Sequence, residues 1–553
     1  MKLTGGEIMV EILKEHGVDT VFGYPGGTAL NFFDALYESR DQIKHVLVAH
    51  EQGASHMADG YSRATGKVGV CCATSGPGAT NLTTGIATAF LDSIPMVAIT
   101  CNVPDSLIGR DAFQEVSITG VTMPISKHNY FVNRIEDLPA AMHNAFRIAQ
   151  SGRKGPVLVD VTKDVTMATF NYKPGDYQFE LEDLPTASME DVQEVADIIN
   201  KAKRPIVYFG GGIVSSGARG ELIELVEKAD LPAAHTLMAT GTIGYSDPRN
   251  MGMLGMHGTV AANRAVDRAD VLIALGARFS DRVVLNPEQF GKKAIKIQVD
   301  VDKSEINKNV IVDYAVVSDV KDFLKKLLPL IEENEHKEWV QEVTDMQRAI
   351  GADESDGKLH PHQIIHTICE NTDPNTIYVT DVGQHQMWAA QFLENENTSK
   401  FITSGGLGTM GFGYGAAIGA KLGCPDQRVV HITGDASLHM NMQEAATAVS
   451  QELPIITVIM DNGALGMVKQ LQTRFTDGRY FAVEHHRKTD FVKIIEGFGG
   501  KGFKADTPEA FKKAFKAALK EDVPTWIWCK IDGDEQVLPM IPGGGTTADM
   551  FID

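Results

Sequence analysis

The chain has 553 residues, 43% hydrophobic and 22% charged, and 51 Lys and Arg stand against 72 Asp and Glu for a formal net charge of −21. That length exceeds one hydrophobic core and implies three or four domains at roughly 150 residues each. The acidic balance and the lack of a long basic run argue against a nucleic-acid partner, and no apolar run approaches the roughly 18 residues that a membrane span needs.

The amino-terminal stretch MKLTGGEIMVEILKEHG mixes charge with apolar residues at helical spacing and lacks the apolar core of a signal peptide. Six cysteines, with Cys71 and Cys72 adjacent in an apolar run, make no disulfide framework. Both features point to a reducing, cytoplasmic setting.

In chain order, short β-rich runs fall at His45–His50, Gly69–Thr74, Val157–Val161, Ile206–Phe209, Val271–Leu275, Val429–Thr433 and Ile455–Met460, with helical patterns between them. Near-continuous apolar strands alternating with helices predict parallel sheets covered on both faces, an α/β fold. The pattern lapses at the acidic Tyr172–Glu190. It lapses again at Gly351–Lys358, after the charged helical stretch Lys321–Ile350. These breaks predict three doubly wound units, 1–170, 190–340 and 358–545, followed by a tail, 546–553.

In the first unit the run His45–His50 leads into Glu51, a carboxyl group at a strand end beside a glycine and so an acid/base candidate. In the third, the strand Val429–Thr433 runs into Gly434-Asp435-Ala436-Ser437, and the strand Pro454–Met460 runs into Asp461-Asn462-Gly463-Ala464. Ligands of open α/β sheets sit beyond the carboxyl ends of strands, so the two loops are predicted to meet. Asp435, Asn462 and the Ala464 carbonyl offer the oxygen ligands that Mg²⁺ takes. The small residues Gly434 and Ala436 let backbone amides approach a diphosphate. Read alone, the same residues also suit two ordinary turns.

The 27-residue spacing from Asp435 to Asn462 resembles the GDG…NN diphosphate signature of thiamine-diphosphate enzymes, here as GDA…DN. The segments FGYPGG (Phe22–Gly27), HEQGA (His50–Ala54), TSGPGATN (Thr74–Asn81), DAFQE (Asp111–Glu115), MLGMHGT (Met253–Thr259), GARF (Gly276–Phe279), GGLGTMGFG (Gly405–Gly413) and VLPM (Val537–Met540) extend the resemblance. In that order they are similar to the catalytic subunits of the acetohydroxyacid synthase (acetolactate synthase) family, over essentially the whole chain.

That resemblance implies decarboxylation of pyruvate and carboligation to a second 2-oxo acid, giving 2-acetolactate. It implies that Glu51 bonds the aminopyrimidine of thiamine diphosphate and favours its imino tautomer. Pro77, Asn81, Gly383, Gln384, His385, Met410 and Met467 would contact the cofactor. Lys127 and Arg282 would lie near the substrate carboxylate, and Phe113, Gln114 and Met256 would line the access side. The family's FAD would sit in the middle unit on Gly210-Gly211-Gly212, Thr236-Leu237-Met238, Gly276-Ala277-Arg278, Asp300 and Asp319. A homodimer or homotetramer follows, with Glu51 of one chain meeting the diphosphate site of another, and biosynthetic members commonly have a regulatory small subunit.

The chain also departs from the family pattern. Leu471 stands where the family has a tryptophan that favours 2-oxobutyrate, which implies an altered acceptor preference. Asp461 replaces an Asn, Ala436 a Gly, Ser280 an Asp, Ser117 an Asp, and Tyr414-Gly415 a Leu-Pro. The glycines of the tail Ile541–Asp553 suggest a movable lid. A decarboxylase, a pyruvate-oxidase-like enzyme and an inactive cofactor-binding paralogue are the alternative readings. His360, His362 and His366 read as a capped surface helix rather than a zinc site, and His485-His486-Arg487-Lys488 as a solvated loop.

Overall fold

A computed structural model describes residues 1–177, 180–347, 357–394 and 400–552. In the first unit six parallel strands lie side by side in the order Lys44–Leu47, Thr20–Tyr24, Gly69–Thr74, Met96–Asn102, Pro156–Thr162 and His128–Val132. The third unit runs Phe401–Ile402, Ile377–Thr380, Val429–Gly434, Ile456–Asp461, Thr525–Lys530 and Lys501–Ala505, again all parallel. Numbered by chain order within each unit, both sheets read 2-1-3-4-6-5.

The middle unit differs. Its strands run Asn250–Met253, Ala233–His235, Pro205–Phe209, Val271–Leu275, Ile295–Asp300 and Tyr314–Val317, which reads 3-2-1-4-5-6, the order of dinucleotide-binding folds. All three units are therefore parallel α/β sheets, as the apolar runs predict. Every residue of Val429–Gly434 and of Ile456–Asp461 is buried, which is why those strands read as continuous rather than alternating.

The first and third units meet through helix Glu51–Thr65, which lies along helix Phe412–Gly423. The approach is close enough that a Cβ on Gly60 would come within 2.1 Å of the Ala416 carbonyl, and one on Gly419 within 1.9 Å of the Met57 carbonyl. Small residues on the facing helices permit the contact. Among the departures, Tyr414 is explained here: it is fully buried, accepts the Trp526 indole N–H at 3.3 Å, and meets that ring edge-on.

The predicted boundaries differ in detail from the structure. Tyr172, the first residue of the expected linker, is buried: its carbonyl accepts from the Met1 amino group at 2.6 Å and its hydroxyl donates to Glu15. The chain therefore folds back on the first unit before leaving it. Helix Lys337–Gln347 belongs to the middle unit, where the Trp339 indole donates to the Pro205 carbonyl at 2.8 Å. Most of the expected break at 351–358 lies outside the described residues, as do 178–179 of the first break, 348–350 of the preceding stretch and 553 of the tail. All six cysteines are free thiols, and no helix among the described residues is long and apolar enough to cross a membrane.

One buried carboxyl gives a testable pH dependence. Asp160 accepts from Thr100 Oγ1 and Asn102 Nδ2, each at 2.7 Å, yet burial pushes it up to about 6 against the pull of those donors. A raised carboxyl favours folding while protonated, so its stability contribution is complete below the ordinary value of 3.8 and lost as pH rises through about 6. Asp160→Asn is expected to remove about 2–3 kcal/mol of pH-dependent stability between pH 4 and 7. Urea melts at both pH values check this; an unchanged slope would remove Asp160 as the source.

Candidate active site

The third unit's strand order reverses between Ile377–Thr380 and Val429–Gly434, which opens a crevice at their carboxyl ends. Gly383, at φ 152°, leads from strand Ile377–Thr380 into helix Gln384–Phe392, which places the helix N-terminus at the carboxyl end of the sheet. The His385 ring fills the space beside both glycines: a Cβ on Gly383 would lie 2.8 Å from Cε1, and one on Gly434 2.8 Å from Nδ1. Burial holds His385 down to about 4, so the ring is neutral at pH 7, and its Nε2 has no hydrogen-bond partner.

Asp435 opens a short helix, Asp435–Leu438, and is 2% exposed. Burial, then the charge of Asp461, push its carboxyl up to about 7. His485 Nε2 lies 2.7 Å from Asp435 Oδ2 but is not aligned for a hydrogen bond, and both atoms are buried without a hydrogen-bond partner. This corrects the reading of His485 as part of a solvated loop. The loop 481–488 folds over the site because Ala464 bridges Glu484 and Leu465 N–H donates to the Val483 carbonyl at 2.8 Å.

Asn462 donates Nδ2 to Gln384 Oε1 at 2.9 Å and accepts the Ala464 N–H at 3.1 Å. Gln384 continues to Gln470 Oε1 at 3.1 Å and to the Glu535 carbonyl at 2.8 Å. The structure thus joins the Asn462 loop to the start of helix Gln384–Phe392 through a side-chain hydrogen bond. Asp461, the departure from Asn, has its charge met by Lys530 Nζ at 2.5 Å and by the Trp528 indole N–H at 2.6 Å. Met410 and Met467 are half-buried, on the loop before Gly411 and on helix Gly466–Phe475 respectively.

Sequence reasoning missed Asp381. It is fully buried; one oxygen accepts from Val382 N–H at 3.1 Å and from Gly411 N–H at 2.8 Å, so it ties the crevice loop to the Met410 loop. Burial opposes its ionisation, but His431 and the Ser437 hydroxyl keep it below the usual carboxylate range. An acidic residue ending the apolar run IYVT was the available signal. Ser437 Oγ also accepts the Gly411 N–H, at 3.3 Å, while Ala436 is buried.

In the first unit the strand stops at Leu47, and Glu51 opens a helix instead of ending a strand. Its Oε2 accepts from Asn81 Nδ2 at 3.0 Å. A Cβ on Gly78 would lie 3.2 Å from Oε1, which places the exposed Pro77 and its short helix beside the carboxylate. Gln114, at φ 60°, packs its Cα against Gly76, whereas Phe113 projects outward, 87% exposed. Glu444, also missed, reaches from the third unit to accept the His50 N–H at 2.9 Å and the Ala49 N–H at 3.2 Å. It lies between the strands Val429–Gly434 and Ile456–Asp461, where no local spacing marks it.

Within one chain Lys127 lies away from this region, whereas Leu471 shares its helix with Met467. Lys127 precedes strand His128–Val132, at the edge opposite Glu51, and its ammonium bonds the carbonyls of Ile148 and Ser151 at 2.5 and 2.6 Å. Burial lowers it to about 8. Arg282 is exposed, 3.8 Å from Asp281, and its backbone carbonyl accepts the Met256 N–H. Leu471 lies on helix Gly466–Phe475, 42% exposed. His360 precedes helix Pro361–Asn371 and pairs with Glu535 at 2.6 Å, His366 pairs with Glu394, and no metal-holding group of three His, Cys, Asp or Glu occurs among the described residues.

The middle unit has its own switch point, between strands Pro205–Phe209 and Val271–Leu275. Gly210, Gly211 and Gly212 follow the first strand and Gly276, Ala277 and Arg278 the second. Gly212 N–H donates to the Gly276 carbonyl at 3.0 Å, and a Cβ on Gly212 would lie 2.6 Å from Gly276 Cα. The two glycine loops therefore need each other's lack of side chain. Thr236, ahead of the turn Leu237–Ala239 that includes Met238, has a buried hydroxyl without a partner. Burial pushes Asp300 up to about 6. Asp319 caps helix Val320–Leu327 through Lys321 and Asp322 N–H, which commits one of its oxygens.

Three family models match along the chain: the thiamine pyrophosphate enzyme N-terminal TPP binding domain over residues 3–121, the central domain over 192–327, and the C-terminal TPP binding domain over 381–529. The chain belongs to the thiamine diphosphate (thiamine pyrophosphate) enzyme family. Within that family its similarity is to acetolactate synthase large subunits. The acetolactate synthase isozyme 1 large subunit of Escherichia coli is 44% identical over 551 residues, covering 99% of this chain and 98% of the relative. The large subunits from Parasynechococcus marenigrum and Corynebacterium glutamicum are 43% and 42% identical, each covering 99% of this chain and 91% and 90% of the relative respectively.

Proposed function

We propose that this chain decarboxylates pyruvate and joins the two-carbon remainder to a second 2-oxo acid, giving 2-acetolactate. The observation that carries this reading is the third-unit crevice. Asp435 Oδ2 and His385 Nε2 are buried there without hydrogen-bond partners, beside a helix N-terminus and two strand ends. Buried polar atoms are ordinarily satisfied, and a diphosphate with a divalent cation has the matching charge and oxygens. Thiamine diphosphate would supply the carbon nucleophile and the electron sink.

In this reading residues 1–170 hold the pyrimidine, with Glu51 against its ring and Asn81 orienting Glu51. Residues 358–545 hold the diphosphate along Gly383, Gln384, His385, Gly434, Ala436 and Ser437, while Asp435, Asn462 and the Ala464 carbonyl bind Mg²⁺. Met410 and Met467 pack against the cofactor. Arg282 recognises the substrate carboxylate, and Phe113, Gln114, Met256 and Leu471 border its approach. Lys127 joins them only where a second chain brings its edge of the sheet near. The working unit is a homodimer or homotetramer, with Glu51 of one chain serving the crevice of another, and the large-subunit relatives support a separate regulatory subunit.

The middle unit, residues 190–340, fits FAD. Its strand order is that of dinucleotide folds, and the buried Thr236 hydroxyl lacks a partner at the carboxyl end of the neighbouring strand Ala233–His235. The tail 546–553 would act as a lid over the site. Phe551 of the tail pairs backbone to backbone with Met540, and Ile541 N–H donates to the Met256 carbonyl at 2.8 Å.

Product analysis with pyruvate, thiamine diphosphate and Mg²⁺ tests the reading. Acetolactate is expected; acetaldehyde alone would replace the carboligase with a decarboxylase. Leu471→Trp is expected to raise the use of 2-oxobutyrate over pyruvate as acceptor by about tenfold, through added aromatic contact. Competition between the two acids measures it, and an unchanged product ratio would remove Leu471 from the acceptor pocket.

A further inference from the structure

A buried charge cluster joins the first unit to the loop that carries Met410. Arg63, on helix Glu51–Thr65, bonds Asp59 through Nε at 2.6 Å, Asp92 through Nη2 at 2.8 Å and the Thr403 carbonyl through Nη1 at 2.9 Å. Its side chain is 8% exposed, and those of Asp59 and Asp92 are 0% and 1% exposed. Asp92 also accepts the backbone N–H groups of Gly405, at 3.2 Å, and Gly406, at 2.6 Å. A Cβ on Gly406 would lie 2.9 Å from Asp92 Oδ1.

The same loop is fixed further along. Thr409 Oγ1 lies 2.7 Å from Thr88 Oγ1, and Gly411 donates to Asp381. Met410 thus stands between an anchor on the first unit and an anchor on the third. Two carboxylates around one guanidinium are a costly way to stabilise an interior. Their five charge-assisted contacts to one arginine and two successive amides define a position instead.

We propose that Asp92, held by Arg63, is a positioning residue that sets the height of the 403–411 loop and, through it, the seat of Met410 against the cofactor. The inference rests on the reading of Met410 as a cofactor contact. Asp92→Asn replaces one accepting oxygen by a donor facing a backbone N–H, and is expected to weaken thiamine diphosphate binding by about tenfold or more. Gly406→Ala should act in the same direction without removing a buried charge.

Calorimetric titration of the full-length protein with thiamine diphosphate in saturating Mg²⁺ reads the effect, in Asp92→Asn, Gly406→Ala, Met410→Ala and the double variants. If Asp92 works through Met410, either loop variant combined with Met410→Ala binds within about twofold of Met410→Ala alone. Effects that multiply would overturn the proposal and leave the cluster a purely structural tie. A Met410→Ala variant that binds as the parent does would overturn the Met410 reading itself, and the inference with it.

Discussion

Glu51→Gln is expected to lower pyruvate turnover by roughly 10²- to 10⁴-fold, the usual contribution of a positioned acid/base group. The melting temperature should barely move. Glu51 is half-buried at a helix start, and its one side-chain bond accepts from Asn81, which an amide oxygen can also accept. The amide retains shape and hydrogen bonding but cannot take up a proton. Steady-state kinetics with a thermal melt separates the two effects. Turnover within threefold of the parent would sink the role proposed for this carboxylate. A large fall in melting temperature would show that the substitution tests folding instead.

Asp435→Ala is expected to weaken Mg²⁺-dependent retention of thiamine diphosphate by on the order of 100-fold or more, because even partners outside the ligand set cost 10–100-fold in other metal sites. The side chain is buried beside Asp461, and its Oδ2 has no hydrogen-bond partner. Removing it takes away a charge that the fold holds at a cost. The metal-free protein should therefore gain thermal stability while losing cofactor. Calorimetry with and without Mg²⁺, beside a melt of the metal-free variant, checks both directions. Unchanged retention would move the cation site elsewhere.

The three parallel sheets were legible because their strands are buried on both faces and read as unbroken apolar runs, as in Val429–Gly434. The loops Gly434–Ser437 and Asp461–Ala464 were legible because a tight turn at a strand end needs Gly, Asp and Asn in a fixed local order. Glu444, Asp381 and His485 were not. Each acts across tens to hundreds of residues, on Ala49 and His50, on Gly411 and on Asp435 respectively. No local spacing reports such a contact. Lys127 was placed by the resemblance alone, and within one chain its ammonium bonds two carbonyls at the far edge of the sheet.

The outer two sheets share the order 2-1-3-4-6-5. Their candidate site residues lie in the peptide beyond the strand ends, where a side chain can change without disturbing a hydrogen-bond ladder. Asp461 beside Lys530, Ala436 after Asp435 and the exposed Leu471 are changes of that kind. The ladders and the strand-end side chains thus rest on separate sets of residues. A strand-end side chain can be exchanged while the framework beneath it is kept.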